Sequence, residues 1–108
     1  MEPYEVTVMI APEAEEPRQD EIIDRIRQIV EAGGGELEAV DALGRRKLAY
    51  EIDKHGEAYY HVVTFRASAE TLDEVTRVLR ITDDVLRHMA VRRSGRSHGP
   101  AAEEAPVS

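Results

Sequence analysis

Apolar residues recur along this chain with two different periods, and the switches between them divide it into elements. Tyr4, Val6, Val8 and Ile10 alternate with Glu5, Thr7 and Met9, the period-2 pattern of a half-buried strand. Residues 11–19 carry Pro12 and Pro17 among glutamates and read as a solvated loop. From Asp20 the period becomes helical, with Ile22, Ile26, Ile29 and Val30 in one stripe and Ile23 on its flank. Asp20 and Glu21 suit the positive end of that helix, and Gly33-Gly34-Gly35 supplies a left-handed stop.

The segment 36–52 is a strand whose parity slips. Leu37 and Ala39 alternate on odd numbers, Leu48, Tyr50 and Ile52 on even ones, so a bulge or bend must absorb one residue, and Gly44 is the natural place. Asp53-Lys54-His55-Gly56 is a turn, with Gly56 free to take a positive φ. Residues 58–67 return as a strand with Tyr59, Val63 and Phe65 inward and Tyr60, Val62 and Thr64 outward. Ser68 caps a second helix over 69–80 with Leu72, Val75, Val78 and Leu79 on its apolar face; Thr82-Asp83-Asp84 ends it, and 85–92 is a last strand.

The order β-α-β-β-α-β is that of the split βαβ unit, so the fold class is α+β: a ferredoxin-like sandwich with a four-stranded antiparallel sheet and two helices on one face. Right-handed crossovers put the first and third strands in the middle and the second and fourth at the edges. The helix-free face, carrying Glu5, Thr7, Met9, Tyr60 and Val62, is then left as a docking surface. Residues 1–93 form the domain, and 94–108, with little to bury, are expected to be a disordered tail.

Composition narrows the function. At 108 residues the chain allows one modest core. Without cysteine there is no disulfide, no thiolate nucleophile and no zinc-thiolate site. The N-terminal residues lack a signal-peptide pattern and no apolar run is long enough to span a bilayer, so a soluble cytoplasmic protein is expected, with no membrane partner. His55, His61, His88 and His98 lack metal-ligand spacing, so no metal or other cofactor is expected. The acidic, glycine-free first loop offers no phosphate nest of the acylphosphatase kind, and no catalytic constellation or small-molecule substrate is expected.

The net charge of -8 is unevenly spread. Residues 1–44 hold twelve acids against three arginines, whereas the cations gather later, most densely at Arg45-Arg46-Lys47 beside Leu48 and Tyr50. Arg80, Arg87, Arg92 and Arg93 add to them around the second helix and last strand. Because the Debye length is only ~8 Å at physiological salt, such a patch can bind phosphate on an acidic protein. The same run can equally guard an edge strand against aggregation. A free ferredoxin-like module that self-associates or senses a small ligand is the alternative reading.

Three stretches carry a resemblance: Tyr4-Glu5 opening the first strand, Gly44-Arg45-Arg46-Lys47-Leu48-Ala49-Tyr50 with Ile52 and Lys54, and Arg80-Ile81-Thr82-Asp83-Asp84-Val85-Leu86-Arg87-His88-Met89. Over residues 4–93 the chain resembles the bacterial small-subunit ribosomal protein S-six family. The resemblance implies a structural, non-enzymatic place in the platform of the small ribosomal subunit. It also implies binding to the central domain of 16S ribosomal RNA, with the strongly basic ribosomal protein S-eighteen as protein partner. Carried onto this chain, it assigns RNA or partner contacts to Arg45, Arg46, Lys47, Leu48, Tyr50, Arg80, Arg87, Met89 and Arg92. Two departures stand out: Glu51 occupies a position where the family commonly has proline, and Glu2-Pro3 replaces a basic residue before Tyr4.

Overall fold

The computed structural model describes residues 1–52 and 54–93. Its elements are β1 (Glu2–Ile10), α1 (Glu16–Ala32), β2 (Glu36–Ile52), β3 (His55–Ala67), α2 (Ala69–Ile81) and β4 (Val85–Arg92). The expected tail 94–108, His98 included, lies outside the described residues. All four strands form one antiparallel sheet in the order β2-β3-β1-β4, as the crossover argument requires.

One side chain in two faces the helices. Tyr4, Val6, Val8 and Ile10 of β1 meet Val63 and Phe65 of β3 and the stripe Ile22, Ile23, Ile26 and Val30 of α1, with Val75 and Leu79 of α2 closing the core. Phe65, Ile10, Ile26 and Leu79 are fully buried, each worth roughly 1.5–3 kcal/mol relative to exposure. Ser68 caps α2 as expected, its hydroxyl accepting from the Thr71 N–H.

Three details differ from the sequence reading. First, α1 begins at Glu16, not Asp20: Pro17 sits in the first turn, where a missing N–H leaves no helical carbonyl unpaired, so it opens the helix. Gln19, expected in the loop, is thereby carried into the core. Second, β2 is one 17-residue strand with three register shifts against β3, between Leu37 and Ala39, Ala42 and Gly44, and Lys47 and Ile52. The shift at Gly44 is the expected one, and its φ of 86° is a conformation glycine tolerates. Third, the positive φ in the β2–β3 turn falls on Lys54, at 69°, and not on Gly56.

The helix-free face is also less bare than the parity pattern implies. β3 and β2 run on beyond the end of β1, where Ile10 pairs with Tyr59, and the overhanging hairpin curls back over the sheet. Met9 is consequently only 6% exposed despite pointing away from the helices. Across the sheet, the Arg87 guanidinium on the opposite edge strand donates to the Tyr50 hydroxyl.

The core holds one polar relay. The Gln19 side-chain N–H donates to the Ala14 carbonyl at 2.9 Å, and its Oε1 lies 2.8 Å from His61 Nε2. With that oxygen as acceptor, Nε2 carries a proton. Burial pushes the His61 pKa below its ordinary value, opposed only in part by the Asp20 carboxylate.

The packing makes two positions testable. A Cβ on Gly35 would sit 2.4 Å from the Arg66 carbonyl oxygen and 3.0 Å from Val30, whereas one on Gly56 meets open space. Gly35→Ala should therefore lower the unfolding free energy by about 1–3 kcal/mol and Gly56→Ala by less than about 0.5, read by urea denaturation. The His61 ring takes up a proton less readily in the native state than in the unfolded chain, whose ordinary value is 6.5. As pH falls through that value the unfolded state gains the proton first, so stability declines below about pH 6.5 until the native ring titrates. The same denaturation series run at pH 7.5 and 5.5 should show this loss, and His61→Gln should flatten it; an unchanged slope would refute the assignment.

Candidate nucleic-acid interface

The hairpin that curls over the open face creates a groove of about 330 Å³ between itself and the sheet, lined by Met9, Lys47, Leu48, Ala49, Tyr50, Ile52, Tyr60, Arg87 and Met89. Its walls have two separate origins in the sequence. Lys47 to Ile52 come from the far half of β2, while Arg87 and Met89 come from β4, where they stand opposite Met9 and Thr7 of β1 on the helix-free side. Sheet order places β2 and β4 at opposite edges, so the curl of the hairpin is what brings them together.

The groove is apolar at its base and cationic at its margin. Leu48 is half-buried, Met89 is 43% exposed and Tyr50 is 61% exposed, its ring anchored through the Arg87 hydrogen bond. Among the described residues neither Lys47 nor Arg87 forms an ion pair, so both charges stay uncompensated beside two tyrosines. A flat aromatic surface with flanking cations is what an unpaired base and its phosphate require.

The remaining expected residues are not alike. Arg45 is exposed but engaged by its own chain: it pairs with Glu57, whose hydrogen bond holds its pKa above the ordinary range, and lies 5.9 Å from the centre of the Tyr59 ring. Arg46 stands opposite Ala58 and its Nε donates to the Leu43 carbonyl at 3.3 Å, leaving its charge free of any carboxylate among the described residues. The run thus splits by partner, with Arg45 tied to Glu57 and Lys47, two residues on, lining the groove.

Arg80 and Arg92 stand apart from the groove. Arg80 lies in the last turn of α2 and is exposed on the helix-bearing side, close enough to His88 that, after burial, its charge is the second cause holding the His88 pKa down. Arg92 lies opposite Tyr4 at the other end of β4, 3.7 Å from Glu2, and Arg93 lies 3.9 Å from Glu5. Of the nine expected positions, Lys47, Leu48, Tyr50, Arg87 and Met89 share one groove. Met9, Ala49, Ile52 and Tyr60 complete it and were not among them. The parity of β1 and β3 puts Met9 and Tyr60 on that face, but a search for cations does not score them.

Histidines serve structure elsewhere: His55 Nε2 lies 3.0 Å from both Glu13 carboxylate oxygens, and His61 bonds Gln19. Among the described residues no three His, Asp or Glu side chains converge as a metal would need. No helix among them is long and apolar enough to cross a membrane.

Comparison with known proteins places the chain in a family. The family model described as Ribosomal protein S6 matches residues 3–92. Small ribosomal subunit protein bS6 of Carboxydothermus hydrogenoformans is 45% identical over 89 residues, covering 82% of this chain and 93% of that protein. Its counterpart in Alkaliphilus oremlandii is 42% identical over 92 residues, 85% of this chain and 97% of that one. The crystal structure of 30S ribosomal protein S6 from Thermotoga maritima superposes with a TM-score of 0.79 at 33% identity, covering 85% of this chain and 87% of that one. With the family model spanning nearly all of the described fold, the chain belongs to the ribosomal protein S6 family, a structural constituent of the small ribosomal subunit and not an enzyme.

Proposed function

We propose that this protein binds the central domain of 16S ribosomal RNA in the subunit platform, alongside ribosomal protein S-eighteen, and that the groove under the β2–β3 hairpin is its principal RNA contact. The observation that carries the reading is the meeting of Lys47, Leu48 and Tyr50 with Arg87 and Met89, two sequence-distant segments, around one aromatic and cationic groove. Phosphates engage Lys47 and Arg87, with Arg46 reached by the backbone leading to the groove, and an unpaired base rests against Tyr50 or Tyr60. Arg80, on the helix-bearing side, and Arg92, at the far end of β4, supply outlying contacts to RNA or partner. Arg45, held by Glu57, acts mainly on the shape of the hairpin.

An acidic chain binds a polyanion weakly on its own, since only local charge favours contact. The basic partner offsets the acids of α1 and its surroundings, so the RNA complex should be stronger when both proteins are present. Titration of the central-domain RNA fragment with and without that partner tests this directly.

Lys47→Ala combined with Arg87→Ala should weaken RNA binding and reduce the magnitude of the log-affinity against log-salt slope by roughly 0.7–0.9 for each phosphate left without its cation. Tyr50→Ala should cost about 1–3 kcal/mol of RNA affinity with the slope nearly unchanged, because stacking releases no counterions. An RNA affinity and salt slope equal to wild type in the double variant would rule out the groove as the RNA site.

A further inference from the structure

Leu48 to Glu51 have no cross-strand partner in β3, because the register passes from Lys47 opposite Glu57 directly to Ile52 opposite His55. β2 therefore arches where β3 has only Gly56 to set against it. Tyr50 stands on that arch, and the Arg87 guanidinium ties it to the edge strand on the other side of the sheet. Both side chains line the groove.

The chemistry of the pair settles the direction of the bond. A guanidinium has N–H donors and no acceptor, so the Tyr50 oxygen accepts and its own O–H proton is not used on Arg87. Among the described residues that proton goes to no other group, and Tyr50 is exposed. Linked hydrogen bonds polarise one another, so a hydroxyl that accepts from a cation is a better donor through its own proton. Arg87 for its part keeps its remaining N–H groups, with no carboxylate paired to it among the described residues.

The groove thus holds two donors one hydrogen bond apart, one neutral and one charged. A ribonucleotide offers a matching pair of acceptors, because its 2′-oxygen sits on the carbon next to the one that bears the 3′-phosphate. Two oxygens of a single phosphate are the other pair at this spacing, and they do not distinguish RNA from DNA. Charge favours the first match: Lys47 and Arg87 draw the phosphates, which leaves the neutral hydroxyl to the neutral ribose oxygen. A phenol hydroxyl lies in the plane of its ring, so this contact leaves the ring faces to a base.

We propose that the Tyr50 hydroxyl, held by Arg87, donates to the 2′-hydroxyl of a ribonucleotide whose 3′-phosphate engages Arg87, so that Tyr50 is the residue by which the groove selects RNA over DNA. The inference rests on the proposed function for the presence of RNA in the groove, and adds which atom of the nucleotide is read.

The test uses the full chain, labelled with ¹⁵N, and one short single-stranded oligomer in three forms: ribose, 2′-deoxyribose with the same bases, and 2′-fluororibose. The fluoro form keeps the sugar pucker of RNA but accepts a hydrogen bond poorly, which separates the contact from backbone shape. Titrated by amide shifts, wild type should bind the ribose form roughly three- to tenfold more tightly than either other form, the worth of about one hydrogen bond. Tyr50→Phe keeps the ring and should bring the three forms to within about twofold of one another. If the hydroxyl only propped the arch, its removal would weaken all three alike and leave their ratio unchanged. Lys47→Ala should lower affinity for every form while preserving the ratio, and unchanged affinity in that variant would count against the groove as RNA site instead. The inference is overturned if Tyr50→Phe keeps the wild-type ratio, if wild type draws no distinction among the three forms, or if the fluoro form binds as tightly as the ribose form.

Discussion

A sheet covered by helices on one side only is the constraint from which the rest of this molecule follows. Period-2 alternation sends Tyr4, Val6, Val8, Ile10, Val63 and Phe65 to the helices, and that burial holds the domain together. The other side has no helix to cover it, yet carries Met9, Tyr60 and Met89. The chain meets this with its own hairpin: β2 and β3 outrun β1, fold back, and bring Tyr50 within hydrogen-bonding reach of Arg87 on the far edge. The cover and the groove proposed to bind RNA are therefore the same piece of structure.

The two faces also divide the charge. Seven of the twelve acids in residues 1–44, from Glu13 to Glu31, lie on α1 or the loop that leads into it, while the uncompensated Lys47 and Arg87 border the groove beneath the hairpin. Across a smallest extent of 19 Å, more than the ~8 Å Debye length, each face acts nearly by its own local charge, so the net value of -8 describes neither. A structural protein of a ribonucleoprotein needs both signs, one for nucleic acid and one for the basic proteins that share it. Screening lets them coexist on a domain of this size.

Irregularities in β2 decide which face each stretch of that strand presents. Each bulge reverses which face the next residues meet, and the shift at Gly44 comes immediately before the basic run. Within the run itself the register is unbroken and consecutive cations have different neighbours: Arg45 reaches Glu57 and Tyr59, Arg46 the Leu43 carbonyl, Lys47 the groove. Three charges adjacent in sequence are thus not one patch in space.

Periodicity by itself determined the element order, the strand order, the core residues and the capping of α2, because hydrophobic period and cap chemistry are local and each residue reports its own environment. It also located the bulge at Gly44, since a parity slip is visible wherever alternation resumes out of phase. It misplaced the start of α1, where the composition around Pro17 reads as loop, and the positive φ at Lys54, which the hairpin imposes despite the neighbouring glycine. The basic run and the Arg80–Met89 stretch pointed to Lys47, Leu48, Tyr50, Arg87 and Met89, but only the tertiary structure decided that these five converge while Arg80 and Arg92 stand apart. Convergence depends on how far the hairpin overhangs the sheet and which way it bends, and those are set by long-range pairing and packing. No local pattern of residues encodes them.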